Sequence, residues 1–209
     1  MLLLLKLKES SKIWKNLLLV DMNKEELRSQ FKEKRKLLSL KACLQYDDLL
    51  LIQFQQIDFS SVQSVMTYWP LPKQIEPNTH LFSGYLRHLI PGLKISYPKI
   101  NSNNQIESIL IDENTRYETN GLQITEPKEG VLIEPNSIDM VLVPLFIFDK
   151  KGYRVGYGKG HYDRFLANIS KEAILVGFSY FEPIQIIADT NEFDIPLTLG
   201  ITPEHIYEF

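Results

Sequence analysis

Val143–Leu166 reads VPLFIFDKKGYRVGYGKGHYDRFL. The apolar run Ile138–Val143 stops at Pro144 and suits a buried strand. Four glycines follow (Gly152, Gly156, Gly158 and Gly160), and the spacing predicts a helix from His161 to Ile169. Glycine lets backbone N–H groups approach an anion and permits positive φ. A helix N-terminus adds oriented N–H groups and partial positive charge. Lys159 and Arg154 contribute full charges, and Tyr153, Tyr157 and Tyr162 offer flat faces or hydroxyls to a heterocycle. Asp163 is placed for a metal cation or a basic side chain. Together these residues read as a phosphate site. The plainer alternative is a glycine-rich surface turn with Lys159 solvated. Neither a Walker A loop nor a G-x-G-x-x-G dinucleotide fingerprint is present.

Outward from this segment, strands alternate with helices. Asn23 is placed to cap a helix over Lys24–Leu38, with Leu27, Phe31 and Leu38 near one face and Arg28, Lys32 and Arg35 on others. Ser39 caps a second helix to about Gln55. Val62–Trp69 reads as a strand stopped by Pro70-Leu-Pro72. Asn78 or Thr79 starts a helix through His88. Leu93–Tyr97, Gln105–Ile111 and Ala173–Phe178 read as further strands. The alternation predicts an α/β fold, an open sheet with helices on its faces. Ligands bind such sheets at the carboxyl ends of strands, which directs attention to the segment after Val143.

The bulk composition is that of an ordinary globular protein: 209 residues, 44% hydrophobic and 23% charged, enough for one sizeable core. A net charge of −3 argues against nucleic acid or anionic membrane as a bulk electrostatic partner. Cys43 is the only cysteine, so no intramolecular disulfide forms; a lone thiol fits a reducing compartment. The apolar runs Leu2–Leu5 and Leu17–Val20 are far shorter than the ~18 residues of a membrane span. A signal-peptide pattern is missing, which leaves an organellar presequence as the targeting alternative. We expect residues 1–21 to be an extension, non-native or disordered, ahead of a single domain over 22–209. Met22, directly before the first helix start, is then a hypothetical natural initiator. Intact mass of protein made from the native gene tests this, and a product starting at Met1 sinks it.

The glycine segment resembles the signature of the 5-formyltetrahydrofolate cyclo-ligases, also called 5,10-methenyltetrahydrofolate synthetases. The resemblance extends across most of 22–209. Lys24-Glu-Glu-Leu-Arg28 is similar to the family's Lys-x-x-Leu-Arg, with Arg35 in place on the same helix. Residues four apart share a helix face, so Lys24 and Arg28 can grip one polyphosphate; without the glycine loop the same pattern reads as an ordinary basic face. Tyr68–Glu76 resembles a strand end followed by an acidic substrate residue, which is either Gln74 or the charged Glu76. Ser96–Lys99, Glu126–Lys128 and Asp139 fit family segments. Glu192–Pro196 with Ile201–Pro203 resembles the closing segment, where Thr198 replaces a frequent Asp and His161 replaces a usual aromatic.

The resemblance implies an open, mostly parallel sheet with helices on both faces, like that of sugar-phosphate isomerases and CoA transferases. It implies an ATP-dependent ligase of one-carbon metabolism, cytoplasmic, a monomer or weak homodimer, that converts 5-formyltetrahydrofolate to 5,10-methenyltetrahydrofolate. By resemblance Lys24, Arg28, Gly156, Tyr157, Gly158, Lys159, Gly160, His161, Tyr162 and Asp163 meet the nucleotide. Lys159, Tyr162 and Arg154 serve catalysis, Glu76, Trp69 and Tyr157 the folate, and Asp163 and Asp194 a magnesium ion. Two other readings stay open: a binding module without turnover, and a different kinase or hydrolase using the same loop. Cys43 and the four histidines carry no nucleophile or zinc pattern.

Overall fold

The computed structural model describes residues 22–209 apart from Leu122. The expected extension over 1–21, and with it the presequence and initiator readings, lies outside the described residues. Helix α1 (Lys24–Lys36) opens on a capping box: Asn23 accepts from the amides of Glu25 and Glu26, and Glu26 accepts from the Asn23 amide. This satisfies amides that no helical carbonyl reaches. Leu27, Phe31 and Arg35 are its buried residues. Arg35 was expected on a polar face. Its spacing from Leu27 and Phe31, four residues at a time, instead puts it on the apolar stripe.

Helix α2 (Leu40–Phe54) is capped by Ser39, and α3 (Thr79–Leu89) by Asn78. Strands β1 (Ser64–Met66), β2 (Lys94–Ile100), β3 (Ile106–Leu110), β4 (Tyr117–Thr119), β5 (Thr125–Pro127) and β6 (Val131–Ile133) follow the order of the chain. Then come β7 (Met140–Leu142), β8 (Ile147–Phe148), β9 (Arg154–Val155), helix α4 (His161–Leu166), β10 (Ile174–Phe178), β11 (Leu199–Ile201) and β12 (Ile206–Glu208). Eight strands form one sheet in the order β12-β11-β10-β7-β1-β2-β3-β6. The central run from β11 to β2 is parallel; β12 at one edge and β3 with β6 at the other are antiparallel.

Period-two alternation builds a core on each face of this sheet. Val65, Met140, Leu142, Val176 and Phe178 pack with Leu50 and Phe54 of α2 and Phe82 and Leu86 of α3. Their sequence neighbours Met66, Val141 and Leu175 pack with Phe165 and Leu166 of α4. A strand covered on both faces is apolar throughout, which is why the central strands read as continuous hydrophobic runs. Among the described residues, no helix is long and apolar enough to cross a membrane.

Two local expectations are corrected. β2 does not stop before Pro98. The Ile95 carbonyl accepts from Ile111 and the Ser96 carbonyl from Thr67, so alternate residues of β2 face β3 and β1. Pro98 faces the β1 side, beyond the last pairing at Ser96, and its missing N–H breaks no ladder bond. The glycine loop also does not follow directly from the buried strand, because the β8–β9 hairpin intervenes. Gly152 belongs to that hairpin. Its φ is 85°, and a Cβ there would meet the Phe209 ring at 2.8 Å. Three glycines, not four, remain for the loop.

Candidate active site

A cavity of about 1030 Å³ opens where β1, β2 and β7 end. That volume is at the top of the range for one small-molecule ligand and leaves room for two co-substrates. Its position at strand carboxyl ends is where the helical connections of an α/β sheet diverge.

One wall is cationic. The loop Gly156–Gly160 passes beside α1, and Arg28 Nε donates to the Gly156 carbonyl at 2.9 Å. Gly158 has φ 79°, and a Cβ there would lie 3.0 Å from the Arg28 guanidinium. Glycine is favoured here by the backbone angle, and a Cβ would also crowd the Arg28 guanidinium. Among the described residues, the amides of Gly156, Tyr157, Gly158, Lys159 and Gly160 have no hydrogen-bond acceptor. Lys159 is exposed at the lining and has no carboxylate partner there. Lys24 does have one: its Nζ lies 2.5 Å from Asp194, and its backbone amide donates to Asp189 at 2.7 Å. Free amides, together with Arg28 and Lys159, which have no carboxylate partner among the described residues, give this wall the chemistry to hold an anion.

Arg154 is buried behind this wall. It donates to Asp163 at 2.7 Å and to the Ile195 carbonyl. Burial pulls its pKa down, and the Asp163 carboxylate opposes that shift. Asp163, placed by its sequence for a metal or a basic partner, has the basic partner.

The opposite character appears around Glu76. Tyr157, a residue of the glycine loop, donates its hydroxyl to Glu76 Oε1, and the Leu71 amide donates to Oε2 at 2.6 Å. Burial raises the Glu76 pKa, while these two donors and the Arg35 charge hold it down. Burial likewise pushes the Tyr157 and Tyr162 hydroxyls well up, so both remain neutral donors. Glu76 is delivered by a 3-10 turn (Pro72–Gln74) and by Ile75 at φ 50°, an unusual angle for a β-branched residue. Trp69 lines the same region with its ring centroid 4.7 Å from His80 and 5.1 Å from Tyr117.

Residues 20–202 match the 5-formyltetrahydrofolate cyclo-ligase family. The chain belongs to that family. It is 31% identical over 188 residues to 5-formyltetrahydrofolate cyclo-ligase of Mycoplasma pneumoniae, covering 88% of this chain and all of that one. Its fold is similar to the solution structure of Aquifex aeolicus 5,10-methenyltetrahydrofolate synthetase, with a TM-score of 0.74 and 26% identity over 88% of this chain and 92% of that one. It is also similar to a 5,10-methenyltetrahydrofolate synthetase structure from Mycoplasma pneumoniae, with a TM-score of 0.66 and 28% identity over 86% and 98%. The mostly parallel central sheet with helices is the fold these neighbours share.

Every residue singled out in the cyclo-ligase sequence for nucleotide, folate or metal lines the one cavity: Lys24 and Arg28, Trp69 and Glu76, Arg154, Gly156 through Asp163, and Asp194. Of the two choices for an acidic substrate residue, only Glu76 offers a buried carboxylate. Gln74 is also in the lining; its backbone carbonyl accepts from Arg35 at 3.5 Å, and among the described residues its buried side-chain Oε1 has no donor. His161 rests its Nδ1 3.1 Å from the Asn104 carbonyl at the rim. Thr198, where a carboxylate was looked for, accepts from the Leu175 amide at 3.0 Å and braces β10. Asp139 ties the start of β1 through Gln63, Ser64 and the Ser64 hydroxyl, away from the cavity. Tyr68 and Glu126 also line the cavity and were not assigned to it beforehand. Glu126 lies in the short β5 and is buried, accepting from Asn120 at 2.9 Å and from the Ile100 amide at 3.3 Å. The sequence signal for it was the likeness of Glu126–Lys128 to a family segment, which carried no role.

Proposed function

We propose that this enzyme converts 5-formyltetrahydrofolate to 5,10-methenyltetrahydrofolate with ATP, releasing ADP and phosphate, as one catalytic unit over 22–209. The observation that carries this reading is the Tyr157–Glu76 hydrogen bond. It joins an anion-binding glycine loop to a buried carboxylate within one cavity, which is the pairing a triphosphate and a pterin require. Family membership supports the same reading.

The chemistry needs a better leaving group than a formamide oxygen. Transfer of the γ-phosphoryl group to the formyl oxygen supplies one. N10 then attacks the activated carbon and loses its proton to the departing phosphate or to water, and the C–O bond breaks to release phosphate. The protein must hold γ-phosphorus, formyl oxygen and N10 in reach of one another and offset the charge that develops. Arg28 and Lys159 are the cations free to do this, and the amides of Gly156, Gly158 and Gly160 add oriented donors. Lys24 joins them once it leaves Asp194. Glu76 accepts from the amino-pyrimidine edge of the pterin, with Trp69 and Tyr157 beside it. Tyr162, held neutral, donates toward the transferring group. Arg154 serves the reaction by fixing Asp163.

Magnesium enters with the triphosphate as part of the substrate. Asp163 and Asp194 have the hard oxygen donors that suit it, and both line the cavity. Each is held by a cation, Arg154 and Lys24 respectively. Asp194, near the first turn of α1, is the carboxylate we assign to the ion.

The test is absorbance in the methenyl product band after mixing protein, magnesium, ATP and 5-formyltetrahydrofolate. We expect an ATP-dependent rise. ATP binding without any rise would leave a binding module, and ATP hydrolysis indifferent to the folate would leave a different phosphoryl-transfer enzyme.

A further inference from the structure

Arg35 heads the fully buried large side chains, at 1% exposure. Among the described residues it makes no ion pair, and its Nε has no acceptor. Burying a cation without a contacting carboxylate is expensive, and an apolar residue of similar size would pack there more cheaply. Its contacts explain what it does instead. Nη2 donates to the Leu145 carbonyl at 2.5 Å, beside the end of β7, and Nη1 to the Gln74 carbonyl at 3.5 Å, in the turn before Glu76. Its guanidinium carbon sits 5.0 Å from the Phe146 ring centroid, and Phe146 lies 4.9 Å from the Tyr157 ring. The turn it touches is the strained one, with Ile75 at φ 50°. The Leu71–Glu76 bond braces that turn from the cavity side, and Arg35 braces it from behind.

We propose that Arg35 is a positioning residue for pterin recognition, holding the Pro72–Glu76 turn and keeping a fixed positive charge beneath the Glu76–Tyr157 pair. This rests on reading Glu76 as the carboxylate that meets the pterin. The titratable and charged groups that act on Glu76 are Tyr157, Tyr162, Tyr68 and Arg35. Arg35 is the only cation among them, and its charge favours the ionised form of Glu76.

The experiment compares Arg35→Gln, which keeps donors without the charge, with Arg35→Lys, which keeps the charge. The Glu76 midpoint is read in ligand-free protein by carboxyl carbon NMR, assigned with Glu76→Gln. Affinities for 5-formyltetrahydrofolate and ATP are read by calorimetry. In Arg35→Gln the midpoint should rise by about one unit and folate affinity should fall about tenfold, with ATP affinity unchanged. Arg35→Lys should return both toward wild type. An unmoved midpoint, or equal losses for folate and ATP, would overturn the proposal. Should Arg35→Gln fail to fold, a raised midpoint in Arg35→Lys would overturn it. A wild type that binds ATP but no folate would sink the functional reading, while the Glu76 midpoint would still decide the role of Arg35.

Discussion

Lys24 Nζ and the Asp194 carboxylate lie 2.5 Å apart, although 170 residues separate them in the chain. The pair ties the first turn of α1 to the closing segment at the cavity. On the proposed reading, the nucleotide meets a lysine whose charge is already balanced.

Binding should therefore depend on both partners in opposite ways. Lys24→Met should raise the KM for ATP about tenfold, the scale of one charge-assisted hydrogen bond, with the KM for folate unchanged. Asp194→Asn frees the ammonium and removes the carboxylate assigned to magnesium. It should tighten ATP at low magnesium and shrink the gain that added magnesium brings. Steady-state kinetics across a magnesium series reads both effects, and equal shifts in the two KM values for Lys24→Met would remove that residue from the nucleotide side.

The Lys159 side chain is exposed and has no partner among the described residues, so Lys159→Ala should leave the melting temperature unchanged. Its charge is the one we assign to the transferring phosphoryl group. Turnover should fall about 10²–10³-fold, as when one donor of a preorganised site is removed. Near-normal kcat in a folded Lys159→Ala protein would refute the assignment.

Gly158 and Gly92 separate backbone strain from site disruption. Both have φ near 80°, at 79° and 76°, but a Cβ on Gly92 meets nothing within 4 Å while one on Gly158 meets Arg28. Gly92→Ala and Gly158→Ala should each destabilise by about 1–2 kcal/mol from the left-handed backbone. Only Gly158→Ala should also raise the KM for ATP, because it displaces the guanidinium that holds the Gly156 carbonyl. Thermal melts with kinetics on both variants decide it.

Glu76 should make the protein less stable as pH rises. Burial lifts its folded pKa above the ordinary 4.5. A raised carboxyl contributes stability that is complete below the unfolded value and is lost as pH climbs through the folded value. Glu76→Gln removes that loss. Its melting temperature at neutral pH should be no lower than wild type, and its slope across the acid-to-neutral range should be flatter. Asp47, also raised by burial, leaves some slope in place. Folate affinity should still fall about tenfold or more, the cost of losing a charged acceptor. Lower stability at neutral pH with intact folate binding would contradict both halves of this expectation.

Local signals were legible where a residue's neighbours in sequence are also its partners. The Asn23, Ser39 and Asn78 caps, the apolar strands and the glycine loop all belong to this kind. The short strands β4, β5, β6, β11 and β12 were not legible, since two or three residues carry too little periodicity to stand out from loops. Pro98 misled because proline usually ends a strand. Whether it does depends on which neighbour its nitrogen faces, and that is a property of the sheet. Arg35 misled because its charge outweighed its spacing.

The sequence by itself determined the α/β class, the glycine loop and the set of residues that gather around the cavity. Those follow from helix and strand periods, from glycine's freedom at positive φ and from residues in recognisable order. Only the tertiary structure decided which charges are free. Lys24 and Arg154 are paired while Arg28 and Lys159 have no carboxylate partner among the described residues, and Glu76 rather than Gln74 presents a carboxylate bonded to Tyr157. Ion pairing and burial act through space between segments far apart in the chain, and they set the charge each group can offer a ligand.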